Sequence, residues 1–236
     1  GFFGSDSRAL ITPGKAFLIT DFRYREAAEE SLFPGFAIIQ RESRSLSEES
    51  VALLSRLKIR RLGFESRRLS WADHESLAVS PETGPPIELI PAGDMVENLR
   101  LIKEGDEIEL ISRAAAIGDR VLRSVLTDLK IGMKESELVA ALIFLIRSAG
   151  ARPAFEPIVA SASHSSRPHA RSSGRPLAAG EILLVDMGVN YRGYNSDMTR
   201  TLFLGRLPGD FKKIYLLVRE AQKRALAGIA PGVGIA

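Results

Sequence analysis

The chain has 236 residues, 45% apolar and 26% charged, with a net charge of +3 and a pI of about 9.3, which suits one large or two ordinary globular domains with a sizeable core. Lys and Arg are interspersed with Asp and Glu without long like-charge runs, and the apolar runs are short, Ile182 to Val185 being typical; neither a nucleic-acid surface nor a membrane span is expected. Cysteine is absent, so disulfides and thiolate chemistry are excluded, and any metal must be held by carboxylates and imidazoles.

The opening Gly1-Phe2-Phe3-Gly4-Ser5-Asp6 has neither a basic n-region nor an apolar h-region. It is not read as a signal peptide, and the cytoplasm is the expected location. Residues 1–93 alternate strands and helices. Pro13-Gly14-Lys15 marks a turn, Ala16 to Asp21 a strand, Arg23 to Glu30 a helix and Phe36 to Gln40 a second strand. Leu46 to Leu57 has helical periodicity with Ser45 or Ser47 as N-cap. Arg61 to Glu65 is a third strand and Trp71 to Ala78 a short helix; Pro81, Gly84, Pro85 and Pro86 then break the chain before a fourth strand, Ile87 to Ile90. This pattern predicts an α/β domain with a mixed sheet.

Pro91-Ala92-Gly93 is the expected domain boundary, dividing the chain into 1–93 and 94–236. Of the two helices that come next, the second runs from about Asp106 to Leu129, with Ile108, Ile111, Ala115, Val121, Leu122 and Val125 as an apolar stripe. Lys134 to Ala149 is a further amphipathic helix closed by Gly150. Phe155 to Ala160 reads as a strand and Ser161 to Gly174 as a polar loop with two of the three histidines. Glu181 to Gly188 and Tyr194 to Leu204 read as apolar strands, and Phe211 to Ile229 as a helix ending at Pro231-Gly232.

Asp186 and Asp197 are the most informative residues, because aspartate is depleted in strands and both lie in apolar ones. Asn190-Tyr191-Arg192-Gly193 reads as the turn between them. A turn centred between Tyr191 and Arg192 puts Asp186 directly opposite Asp197, with Cβ atoms about 4.5–5.5 Å apart. Carboxylates that close repel, and burial raises the cost. Either one is protonated or a cation lies between them; ions about 3.5–4 Å apart in two-metal hydrolytic sites are within reach of such a pair, and oxygen ligands suit Mn, Mg, Co or Zn. Either aspartate could instead cap a turn or pair with Arg192 or Arg200, and spacing alone does not decide.

Val185-Asp186-Met187-Gly188 followed by Gly193-Tyr194-Asn195-Ser196-Asp197-Met198-Thr199-Arg200-Thr201 resembles the D-x-G … G-Y-x-S-D-x-T-R-T signature of the metallopeptidase family that contains Xaa-Pro aminopeptidases, prolidases, methionine aminopeptidases and creatinase. Phe155 to Ser161 with Pro168-His169-Ala170 is similar to its F-x-x-I-V-A-S-G … P-H-A segment. Leu99 to Lys103 with Glu107-Ile108 matches the start of its catalytic domain, and Gly1 to Tyr24 resembles a creatinase-type N-terminal domain. The resemblance covers nearly the whole chain and points to the aminopeptidase P/prolidase branch. It implies an α/β (α+β) protein, with a creatinase-like domain over 1–93 and the first half of a pita-bread catalytic domain over 94–236.

The resemblance also implies that Asp186 binds one divalent ion, that Asp197 bridges two, and that His169 contacts the substrate or the tetrahedral intermediate without binding metal. The implied cofactor is two divalent ions, Mn first with Co or Zn as alternatives; the substrate is a peptide with proline at its second position, and a homodimer is the family's expectation. The remaining family ligands, a histidine and two glutamates, lie further downstream. No histidine follows His169, and Glu220, beside Arg219, Lys223 and Arg224, reads as a solvated helix face. The chain is therefore read as a fragment, clipped at both ends, that binds metal poorly and does not turn over. Within the motifs, Ala162 replaces the usual glycine and His164 the common asparagine; His164 is expected as an exposed loop histidine, Arg200 in a structural ion pair, and His74 is given no role. Metal-free amidinohydrolysis of creatine type is opposed by the two aspartates. A non-catalytic peptide- or protein-binding module is the alternative function.

Overall fold

The structure, a computed structural model, describes residues 2, 4–78, 86–206 and 209–234. The expected chain break at Pro81, Gly84 and Pro85 lies outside the described residues. The chain falls into two compact units, Gly1–Ile102 and Lys103–Ala236.

In the first unit β1 (Arg8–Ile11) runs antiparallel to β2 (Ala16–Thr20), and β3 (Phe36–Gln40) runs parallel to β2. The β1 strand has no clear sequence signal, being four residues that begin with a charge. A 3-10 turn (Phe22–Tyr24) and α1 (Arg25–Ser31) link β2 to β3. The helix α2 (Leu46–Arg56) starts at a capping box: the Ser45 hydroxyl accepts from the Glu48 amide at 3.2 Å and the Glu48 carboxylate from the Ser45 amide at 2.7 Å. Such a box satisfies two amides that have no partner inside the helix. Leu53 and Leu54 of α2 pack with Leu10, Phe17, Ile19 and Ile87. The sheet β1-β2-β3 is mixed, as expected, while the parallel pair β4 (Arg61–Phe64) and β5 (Glu88–Pro91), with α3 (Trp71–Ala78) between them in sequence, forms a separate two-stranded sheet. Next comes α4 (Met95–Leu101).

The second unit is built on α5 (Gly105–Thr127) and α6 (Glu135–Ser148). The buried residues of α5 are Ala114, Ile117, Gly118, Val121, Leu122 and Val125. The expected stripe is correct in its second half; Ile108 and Ala115 are exposed, because the true face advances by threes and fours from Ala114. This face packs with Leu138, Val139, Leu142 and Ile146 of α6 against Val159, Leu183, Val185, Met187 and Val189. Those residues belong to strands β7 (Ile158–Ser161), β8 (Ile182–Met187) and β9 (Val189–Tyr191), while β6 (Arg152–Pro153), β10 (Tyr194–Asn195) and β11 (Met198–Phe203) complete the ladders. The strands form two three-stranded sheets, β11-β8-β7 and β10-β9-β6. Along β8, Leu183, Val185 and Met187 are buried while Ile182, Leu184 and Asp186 are half-buried, the period-two alternation of a sheet with one face on the core.

The final helix, α7 (Gly209–Gly228), is exposed along its length, and Glu220 pairs with Arg224 at 3.0 Å. Among the described residues no helix is long and apolar enough to cross a membrane.

Candidate active site

The two aspartates are positioned by one ribbon that passes through both sheets. Tyr194 pairs with Tyr191, Asn195 with Asn190, Met198 with Met187 and Thr199 with Asp186. Arg192 (φ 51°) and Gly193 (φ 93°) form the two-residue loop. Positive φ at both central positions defines a type I′ turn, whose twist matches that of the flanking strands. The turn is thus centred between Arg192 and Gly193, one residue later than the sequence pattern suggested. The expected direct pairing of Asp186 with Asp197 is corrected accordingly: Asp186 faces Thr199, whose hydroxyl donates to its carboxylate at 2.9 Å.

Asp197 lies between β10 and β11 and not, as the sequence had suggested, inside a strand; two residues before Thr199, it continues the register as a diagonal neighbour of Asp186 and not as its direct partner. In a regular ladder such neighbours are about 7–8 Å apart. Asp186 is half-buried and Asp197 exposed, so mutual repulsion and desolvation are weaker than a direct buried pair would impose. Arg200 donates to the Thr199 carbonyl at 2.9 Å, and Arg192 stacks over Tyr191, 5.6 Å from its ring centroid. Among the described residues neither arginine forms an ion pair with either aspartate.

Between the two sheets the ribbon narrows at Gly188. A Cβ there would lie 2.5 Å from the Ser196 carbonyl oxygen, 2.6 Å from the Phe155 ring and 3.0 Å from the Ala154 Cβ. The Gly188 carbonyl accepts from the Ala154 amide at 3.0 Å, and the Val189 carbonyl from the Ser196 amide at 2.8 Å. This close approach of backbone to backbone holds the strand after Asp186 against the strand before Asp197.

His169 is exposed, in the turn after a 3-10 segment (Ala162–Ser166). It lines an open concavity of about 620 Å³ with Val139 and Ile143 of α6 and with Pro157 and Ile158. Ile158 is the β7 partner of Asp186, which places the histidine segment beside the aspartate strand; the aspartates themselves do not line the concavity. Ala162, in the usual glycine position, has φ 48°, a left-handed conformation that glycine adopts without the steric cost of a Cβ.

His164 departs from its expectation as an exposed loop residue. Its Nδ1 is 3.1 Å from Oε2 and 3.3 Å from Oε1 of Glu135. Glu135 is fully buried (0% exposed) and was not singled out by the sequence, where an acid in the first turn of a helix reads as an ordinary dipole partner. Its Oε1 accepts from the amide and hydroxyl of Ser161 at 2.8 and 2.9 Å, and its Oε2 from the amide and hydroxyl of Ser173 at 3.0 and 2.8 Å. Burial pushes its pKa up, but the hydrogen bonds from Ser173 and Ser161 together outweigh burial and hold it below the ordinary 4.5. A carboxylate that is ionised only accepts, so His164 Nδ1 is the donor.

Among the described residues no group of three or more His, Cys, Asp or Glu side chains converges as a metal centre. The donors that are present, one carboxylate in β8 and one directly before its partner strand β11, suit hard or borderline divalent ions and fit part of such a centre.

The sequence matches metallopeptidase family M24 over residues 109–236 and the creatinase/prolidase N-terminal domain over residues 1–102. It is 38% identical over 234 residues to the uncharacterized peptidase YqhT of Bacillus subtilis, covering 99% of this chain and 65% of that protein. It is 33% identical to a Xaa-Pro dipeptidase of Pyrococcus horikoshii, covering 95% of this chain and 61% of the relative. Among solved structures, a Xaa-Pro dipeptidase from Bacillus anthracis superimposes with a TM-score of 0.90 at 35% identity, over 98% of this chain and 64% of that one. The chain thus spans a little under two thirds of the length of these relatives.

Proposed function

The chain belongs to metallopeptidase family M24 and carries a creatinase/prolidase N-terminal domain; from that premise we propose that the whole protein hydrolyses the peptide bond between an N-terminal residue and a following proline. The observation that carries this reading is Asp186 inside β8 with Asp197 directly before β11, the strand that pairs with β8, within a chain similar to Xaa-Pro dipeptidases. We take residues 1–93 as the N-terminal domain and 94–236 as the first portion of the catalytic domain.

In this reading Asp186 would hold one divalent ion and Asp197 would bridge two, manganese being the first choice and cobalt or zinc the alternatives. When bound, such ions polarise the scissile carbonyl and lower the pKa of the attacking water. The Thr199 hydroxyl, donating to one Asp186 oxygen at 2.9 Å, fixes the rotation of that carboxylate and leaves its other oxygen to bind. His169, exposed on its turn, donates a hydrogen bond from an imidazole nitrogen to the oxyanion that develops on the substrate carbonyl, where a positioned donor is most effective. The 1–236 segment alone is expected to bind metal weakly and not to turn over, because two carboxylates underfill two ions that each take about four or more ligands.

The test is to express the full-length gene product, measure bound Mn²⁺ per chain, and assay Xaa-Pro dipeptides and longer Xaa-Pro peptides. Metal-dependent cleavage lost in Asp197→Asn is the expected result. A full-length protein that takes up no metal and cleaves no Xaa-Pro bond would overturn the reading and favour a peptide-binding module.

A further inference from the structure

The carboxylate of Glu135 joins the two ends of the segment that carries His169. Ser161, the last residue of β7, donates twice to one oxygen; Ser173, twelve residues later, donates twice to the other; and His164, inside the segment, reaches both. The backbone reinforces the junction, since the Glu135 amide donates to the Arg175 carbonyl and the Ser136 amide to the Ser173 carbonyl, each at 3.0 Å. Ser161 belongs to the strand whose Ile158 pairs with Asp186. One fully buried side chain therefore fixes the exposed His169 turn to the strand next to the aspartates.

A buried carboxylate is a costly way to close a loop. Desolvating an ion is strongly unfavourable unless its hydrogen bonds are complete, and apolar packing closes loops without that penalty. What the carboxylate supplies is geometry, because two oxygens on one rigid group accepting from five donors leave little rotational or lateral freedom. Neutral glutamine cannot reproduce the arrangement: its amide nitrogen would face the donor N–H of either Ser161 or Ser173.

We propose that Glu135 is a positioning residue that fixes where His169 stands relative to Asp186 and Asp197, with His164 as the third point of attachment. The inference rests on the Xaa-Pro reading above for its catalytic consequence, though not for its structural one. Displacements of about 1 Å at a reacting group can cost about 100-fold in rate, and loss of supporting hydrogen bonds around a metal site typically costs about 10–100-fold.

The experiment uses the full-length protein with Mn²⁺ and compares wild type, Glu135→Gln, His164→Asn and Ser173→Ala. For Glu135→Gln, kcat on a Xaa-Pro peptide should fall about 10–100-fold, with KM within about threefold and bound metal per chain unchanged. Amide exchange should accelerate over residues 162–172 and stay at wild-type rates in α5. His164→Asn keeps a donor to the carboxylate and should retain kcat within about threefold. Ser173→Ala removes one hydroxyl donor and provides a milder test should Glu135→Gln fail to fold; kcat should fall between those of the other two variants. A Glu135→Gln protein with wild-type kcat and wild-type exchange over 162–172 overturns the proposal. So does a loss spread over kcat, KM, metal content and exchange throughout the unit, which marks a purely structural residue. If the wild-type protein cleaves no Xaa-Pro peptide, the catalytic reading falls, and the exchange data decide the role of Glu135: loosening confined to 162–172 supports it, and unchanged exchange overturns it.

Discussion

Replacing Gly188 with alanine tests the ribbon geometry most directly. The added Cβ would lie 2.5 Å from the Ser196 carbonyl oxygen, 2.6 Å from the Phe155 ring and 3.0 Å from the Ala154 Cβ, where relaxed heavy-atom contacts are about 3.5–4.0 Å. The Phe155 ring can turn aside. The Ser196 carbonyl and Ala154 cannot without moving backbone that is held by the Ser196–Val189 and Ala154–Gly188 hydrogen bonds. Overpacking of this kind costs about 1–3 kcal/mol, and one backbone clash, beside a Cβ that moves only with its own backbone, places this site at about 3 kcal/mol. That corresponds to a fall in Tm of about 6–12 °C. The assay is thermal unfolding followed by circular dichroism, with Gly105→Ala at the start of α5 as control, since no atom lies within 4 Å of its added Cβ. A Gly188→Ala protein that melts within about 2 °C of the control, equivalent to under about 1 kcal/mol, would refute the close approach at Gly188.

Leu142 is fully buried between α5 and the sheet, and Leu142→Ala should cost about 2–5 kcal/mol in chemical denaturation. Ala162→Gly relieves the left-handed strain at φ 48° and should be neutral to stabilising by about 1 kcal/mol; a loss greater than that would contradict the backbone conformation. The Glu135 carboxyl has a folded pKa below its ordinary 4.5, so its stabilisation is fully present above about pH 4.5 and is lost as pH falls through the lower folded value. The stability difference between wild type and Glu135→Gln should therefore shrink on acidification below that range, measured by denaturation at several pH values. A difference that stays constant or widens there would contradict the ionised state.

The helices were largely legible in the sequence because capping and periodicity are local: Ser45 with Glu48 marks the start of α2, and Val121, Leu122 and Val125 mark the buried face of α5. The motif residues Asp186, Asp197 and His169 stand out in the sequence by type and spacing. Their geometry was less legible. Register depends on which residue takes positive φ, and Arg192 is not a residue type that advertises it, so the turn was expected one position early and the aspartates directly opposed. The two-residue β6 and the short, charged β1 carry too little pattern to read. Glu135 was invisible for a different reason: its partners Ser161 and Ser173 are 26 and 38 residues away, and no local periodicity reports a contact of that range. The same distance explains why His164 was expected in solvent.

The register along residues 182–203 has a consequence for how the protein acquires its shape. The pairings start at Tyr191–Tyr194, three residues apart, and extend outward to Ile182–Phe203, so the ribbon can zip from the Arg192-Gly193 turn with each pair adding only a small closure to the one before. The Glu135 junction and the β7–β8 ladder have no short first pair from which to zip, so each must begin with a long closure. The hypothesis that follows is an order of assembly in which the aspartates take their relative placement early and the histidine segment docks onto them late. Mutations in the hairpin, such as Leu202→Ala, should then slow folding, whereas Ser173→Ala should mainly speed unfolding; the reverse partition in stopped-flow kinetics would rule the order out. A protein assembled this way has its carboxylates paired with their ribbon before the long-range contacts that complete the site exist, which makes the late-docking histidine segment the part whose loss leaves the rest of the unit standing.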